Sequence, residues 1–333
     1  MGGFTPILGV VIVLAVIFDF INGFHDTANA IATSVSTRAL KPQFAIVMSA
    51  AANFLGALTG TAVAATIAGG LVDPNVESQV VVVAALLGAI AWNLLTWWQG
   101  IPSSSSHALI GGLLGSTAVA AGLGSWNIGG VVEKVIVPLV SSPILGFLLG
   151  FGLMVLLLNV FRRAHPGRMN DSFRRLQVLS AAYMAFSHGS NDAQKTMGII
   201  TLSLVAAGIT TDVHPPIWVI LLAATAISLG TAVGGWRIIR TMGTRVVKLD
   251  PVHGFAAETA AASIIFGASH LGMPVSTTHV ISSGIMGVGS TGRLSAVRWG
   301  VARSIVVAWV LTLPAAGIAA AVSYLVLRPI LGS

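Results

Sequence analysis

Runs of apolar residues follow one another along this chain with only short polar breaks between them. Most runs approach the roughly 20 apolar residues that carry a helix across a bilayer core about 30 Å thick. In the first half the pattern predicts helical segments over about 7–21, 26–38, 43–67, 80–96, 103–121 and 128–160. The second half repeats the plan over about 176–187, 192–207, 217–236, 255–270, 276–288 and 294–326. Breaks are expected at Asn22-Gly23 and at His188-Gly189, where the apolar run gives way to polar residues and glycine. A polar turn is expected at Asp73-Pro-Asn-Val-Glu77, and prolines interrupt segment 6 (Pro138, Pro143) and segment 12 (Pro314).

Polar boxes recur inside these runs. Asn22-Gly-Phe-His-Asp-Thr is echoed by His188-Gly-Ser-Asn-Asp-Ala, and Pro102-Ser-Ser-Ser-Ser-His by Pro274-Val-Ser-Thr-Thr-His. Asp192 lies 166 residues after Asp26, and His279 lies 172 after His107. An internal repeat follows, with halves 1–161 and 176–333 flanking a basic linker, 162–175.

The chain is 55% hydrophobic and 8% charged, against about 25% charged in soluble domains. An all-α, polytopic membrane protein is the expected class, with the lipid bilayer as its surroundings. The net charge of +7 sits in short connections rather than on one face, which argues against a nucleic-acid partner. With no cysteine, thiolate metal sites and disulfides are excluded. No basic residue precedes the first apolar run, and no cleavage site precedes Asn22, so a signal peptide is not expected.

Lysine and arginine follow segments 2, 6, 9 and 11, whereas the connections after 3 and 8 carry acids and no basic residue. Placing the basic loops in the cytoplasm makes segments 1 and 2 one broken crossing. Segments 4 and 5, and likewise 10 and 11, then form hairpins. Each half makes an odd number of crossings, so the halves are inverted and both termini face outward. Interrupted helices at matching positions of inverted repeats point to a secondary transporter's binding site.

Proline followed by serines is a good helix opening, and helix starts favour anions through free N–H groups and the macrodipole. Ser103, Ser104, Ser105 and Ser106, facing Ser276, Thr277 and Thr278 near the midplane, would bind a compact tetrahedral oxyanion. Packing through interhelical hydroxyl bonds is the plainer alternative. Asp26 and Asp192, with Asn29, Asn191 and Gln194, offer oxygen ligands for Na⁺ or a protonatable group; helix capping is their plainer role. Lys195 could pair with Asp192, bind the anion, or snorkel. Glu258 and Asp19, acids deep in apolar segments, are functional candidates. His25, His107 and His279 are candidates for gating or proton carriage.

At these residues the sequence resembles the PiT inorganic phosphate transporter family. Gly23-Phe-His-Asp-Thr-Ala-Asn-Ala and Gly189-Ser-Asn-Asp-Ala-Gln-Lys look like its duplicated Gly-x-Asn-Asp signatures, and the two proline–hydroxyl–histidine elements match its second duplicated motif. The resemblance covers the whole chain and implies import of inorganic phosphate by symport, in the manner of bacterial low-affinity permeases. It implies a homodimer in the cell membrane and no cofactor beyond a co-transported H⁺ or Na⁺. His25 departs from the usual Asn, Asn53 stands where many members carry Glu, and Glu258 fits that glutamate's second-half counterpart. The Asp-Ala-Gln-Lys form resembles proton-coupled permeases, some carrying metal–phosphate complexes, so H⁺ is expected ahead of Na⁺. A sulfate or other oxyanion symporter, an intramembrane serine hydrolase and a channel are the competing readings. A hydrolase would place a serine within reach of His107 or Lys195, and nothing about such a dyad calls for two inverted copies.

Overall fold

The structure, a computed structural model, describes residues 5–69, 71–72 and 78–331. The turn expected at Asp73–Glu77 lies outside the described residues. Twelve helices account for most of what is described, and no strand occurs among those residues beyond an isolated bridge, Val72 to Trp126. They are α1 (Pro6–Ser36), α2 (Pro42–Ala57), α3 (Ala62–Gly69), α4 (Gln79–Gln99), α5 (Ser105–Ala121), α6 (Ile128–Val160), α7 (Pro166–Ala206), α8 (Ile217–Val233), α9 (Trp236–Arg245), α10 (Pro251–His270), α11 (Thr277–Ser290) and α12 (Trp299–Leu331).

The expected breaks at Asn22-Gly23 and His188-Gly189 are corrected: α1 and α7 run through both boxes as single helices. The glycines serve close approach instead. A Cβ on Gly23 would lie 2.2 Å from the Ile227 carbonyl oxygen of α8, and one on Gly189 would lie 2.1 Å from the Asn53 carbonyl oxygen of α2. Small residues let helix backbones touch where lipid supplies no hydrophobic drive, so glycine here marks a crossing and not a kink. The bends lie elsewhere. Segment 3, read as one run over about 43–67, turns by 67° between α2 and α3, and its counterpart turns by 60° between α8 and α9. At the second bend Gly234 takes a positive φ of 77°, which favours a residue without Cβ.

The basic stretch 162–175, expected as a linker, is mostly helix, because α7 begins at Pro166 and carries Arg168, Arg174 and Arg175 exposed on its first turns. Helices α1, α4, α6 and α12 are each long and apolar enough to cross a membrane alone; the pairs α2–α3 and α8–α9 reach that standard together. Helix α7 is not among them. Its middle, Ser187 to Leu204, is buried and rich in polar side chains, so it is enclosed by protein rather than lipid.

Helix contacts pair off between the halves. Helix α1 packs on α8 while α7 packs on α2; α12 lies on α4 and α5 while α6 lies on α10 and α11. Two large apolar cores result, with a small third cluster of Val80, Val81, Ala84 and Tyr324. One gathers Leu8 to Phe18 of α1, the α4–α5 hairpin and Ala193 to Leu204 of α7. The other gathers Ala28 to Ala32 of α1, Phe173 to Ala185 of α7 and the α10–α11 hairpin. Both long helices therefore pass from one core to the other at their polar boxes, and those boxes form a layer between the cores.

Candidate functional site

The site is built on that layer. Asp26 of α1 and Asp192 of α7 are both buried, and His188 stands between them, its Nε2 3.5 Å from Asp192 Oδ2 and 4.0 Å from Asp26 Oδ2. The three side chains offer two oxygens and a nitrogen within 4.8 Å of one another, a donor set able to hold a cation. His188 Nδ1 lies 2.9 Å from Asn53 Oδ1, which orients the ring. Asn22 donates to Asp192 Oδ2 across the α1–α7 contact at 3.5 Å.

Lys195, only 1% exposed, does not snorkel. Its ammonium donates to Asp192 Oδ1 at 2.6 Å, to the Val275 carbonyl at 3.2 Å and to Ser106 Oγ. All three N–H bonds are thereby used. An unpaired ammonium in an apolar interior is very costly, and the carboxylate beside it offsets that cost. On the α1 side Asn29 takes the corresponding part, donating to Thr278 Oγ1 at 2.9 Å and Thr277 Oγ1 at 3.3 Å. Asp26 Oδ1 accepts from Thr278 at 3.4 Å and lies 2.7 Å from His25 Nδ1.

The two hairpin tips meet here. Ser104 caps α5 by accepting from His107 N at 3.1 Å, and Ser276 caps α11 by accepting from His279 N at 3.2 Å. Ser106 donates across to the Val275 carbonyl at 3.2 Å, and the His107 and His279 rings lie 4.8 Å apart. Trp309 of α12 stacks on His279 at 4.1 Å. Ser103 donates to Thr96 at 2.8 Å and sits 3.4 Å from His25 Nε2. The hydroxyl of Ser105 is buried without a partner, as are the Asn29 and Asn191 carbonyl oxygens and both nitrogens of His279. Burial without a partner costs about 1–3 kcal/mol per group, so the layer holds polar capacity that its own bonds leave unused.

Other expected residues lie apart from the carboxylates. Asn191 donates to Ser269 Oγ at 3.0 Å and the Met273 carbonyl at 3.1 Å, holding the second hairpin's tip. The Gln194 carbonyl accepts from Val63 N at 2.8 Å and Ala64 N at 3.4 Å, capping α3 after the bend. Glu258 belongs to a separate buried cluster, accepting from Ser180 at 2.5 Å, Gln177 at 3.3 Å and Thr33. Asp19 is buried, with Thr196 and Asn22 beside it. Beside the layer a cavity of about 110 Å³ is lined by Thr59, Ser190, Gln194, Ser269 and His270 among others. His188 and Asn22 were not singled out from the sequence, although 166 residues separate them and the repeat sets one opposite the other.

Residues 22–320 match the phosphate transporter family. The chain belongs to that family. It is 50% identical to a "Probable low-affinity inorganic phosphate transporter" of Bacillus subtilis (strain 168), over 96% of this chain and 97% of that one. It is 48% identical to a protein of the same description from Rhizobium meliloti (strain 1021), over 96% of each. Among solved structures it resembles "The sodium-dependent phosphate transporter", at a TM-score of 0.90 and 27% identity, covering 98% of this chain and 100% of that one. The family and these relatives are transporters, not enzymes, and the chain is a multi-pass membrane protein whose family moves phosphate.

Proposed function

We propose that the protein imports inorganic phosphate across the cell membrane by cation symport, with H⁺ favoured over Na⁺. The observation that carries this reading is the Asp26–His188–Asp192–Lys195 cluster, set between two hydroxyl-lined helix starts in a polar layer between two apolar cores. A multiply charged oxyanion cannot cross lipid unaided, and carboxylates at this depth are functional by default. In this reading Ser103–Ser106, Ser276, Thr277, Thr278 and Asn191 supply donors to phosphate, while Asp26, Asn29 and Asp192 form the cation-coupling machinery, Asp192 with Lys195 as its partner. Glu258 is a second acid for proton transfer, and His25, His107 and His279 line the route.

The tips are closed on each other through Ser106 and Val275, so phosphate reaches the donors only when the hairpins part. The reciprocal packing of the halves supports opposite orientations in the membrane. Halves 1–161 and 176–333 are then inverted repeats, their basic connections face the cytoplasm and both termini face outward. The family resemblance favours a homodimer, and a metal–phosphate complex is an allowed form of the substrate. The sodium dependence in the structural neighbour's description speaks for Na⁺, whereas a lysine already paired with Asp192 speaks for fewer metal ions.

Radiolabelled phosphate uptake into proteoliposomes, with pH and Na⁺ gradients imposed separately and sulfate as competitor, tests the reading. Saturable uptake driven by an inward proton gradient and resistant to sulfate is expected. Uptake driven by Na⁺ alone would reverse the choice of ion, and uptake indifferent to both gradients would contradict symport.

A further inference from the structure

The repeat that relates Asp26 to Asp192 relates Asn29 to Lys195, both pairs being 166 residues apart, and relates Ser106 to Thr278, 172 apart. The structure realises this correspondence in contacts. Asn29 of α1 donates to Thr278 on one tip, and Lys195 of α7 donates to Ser106 on the other. Each donor stands one helical turn beyond its own aspartate. The two half-sites thus share one frame, and among the side chains that differ between them one changes the charge beside the aspartate: an amide in the first half, Asn29, is replaced by an ammonium in the second, Lys195.

The replacement changes the charge of the second half-site by a full unit. Asp192 has an ammonium at 2.6 Å. Asp26 has around it only a histidine at 2.7 Å, a second histidine at 4.0 Å, and the Thr278 hydroxyl at 3.4 Å, with no lysine or arginine paired to it among the described residues. A buried carboxylate without a counter-charge recruits a mobile cation or a proton; one already paired does not.

We infer that Lys195 is a tethered cation occupying the place that a mobile cation would take in the second half-site, so that only the Asp26 half-site exchanges a co-transported ion. This inference rests on the transport reading above. It makes the coupling of the two halves unequal although their frames match. Its chemistry is a tethered ammonium bound to Asp192 and Ser106.

The test uses Lys195→Asn, which gives the second half the first half's residue, and Lys195→Ala, in purified protein and in proteoliposomes. Wild type is measured beside them with choline replacing Na⁺. The expected result is that the number of Na⁺ ions per phosphate, read from paired sodium and phosphate fluxes, rises by about one over the wild type's in both variants. A Na⁺-dependent rise in melting temperature larger than the wild type's is expected as well, because an ion that binds only the folded state stabilises it. If the variants aggregate in choline, purification in Na⁺ is expected to restore monodisperse protein. Variants with the wild type's flux ratio and no added Na⁺ stabilisation, or aggregates that Na⁺ does not rescue, would overturn the inference. A wild type that moves no phosphate would instead defeat the transport reading, while the melting measurement would still decide this one.

Discussion

Lys195 and Asp192 show how much a single buried pair can decide. Each group alone would be an uncompensated charge in a dry interior, and together they are held by an ion pair at 2.6 Å and the contacts of Lys195 to Ser106 and Val275. Removing one partner of such a pair costs about 3–5 kcal/mol, whereas replacing both by apolar groups is often neutral. Asp192→Asn should therefore melt well below the wild type in detergent, and Asp192→Asn with Lys195→Met should recover most of the loss while transporting no phosphate. A single variant that melts as the wild type would contradict the pairing. Asn29→Ala separates stability from function in the other half. An interhelical hydrogen bond in a membrane protein contributes only about 0.6 kcal/mol, so the fold should survive, yet uptake should fall at least about tenfold if Asn29 helps to hold the coupling ion. Gln194 shows how position along a helix sets a side chain's direction. It follows Asp192 by two residues, and side chains two apart in a helix point about 200° apart, so its amide faces the start of α3.

At the scale of the helix, glycine carried two meanings that the chain alone could not separate. Gly23 and Gly189 read as breaks because glycine and polar residues interrupt an apolar run. Whether glycine bends a helix or seats another against it depends on a neighbour distant in sequence, here Ile227 and Asn53. Gly23→Val and Gly189→Val should each force the crossing helices apart and yield little monodisperse protein, since inserted core atoms cost about 1–3 kcal/mol or more. Gly152→Val, where nothing lies within 4 Å of the added carbon, should express and elute as the wild type. Equal behaviour of all three would contradict the close-approach role. The hairpin openings were legible because proline and a serine cap are local signals, and both caps are present as expected. Ser104→Ala should lower stability by about 1 kcal/mol, measured by thermal unfolding. The bends after α2 and α8 were not legible, since hydropathy is insensitive to direction and each pair reads as one apolar span.

Over the whole molecule, the doubling of the boxes was visible in the sequence and the class of fold followed from it. What could not be read was the enclosure of α7, whose polar middle is tolerated because protein surrounds it on every side. The molecule that results is two apolar cores joined at a polar layer, with one hairpin tip reaching the layer from each core. In the transport reading phosphate passes only when those tips part, and the absence of cysteine makes that movement directly testable. Cysteines introduced at His107 and His279, whose rings lie 4.8 Å apart, are joined by a short bifunctional thiol reagent and phosphate uptake is measured before and after cleavage of the link. Uptake should stop when the tips are tied and return when they are released; linked protein that transports phosphate as fast as the unlinked form would contradict the mechanism.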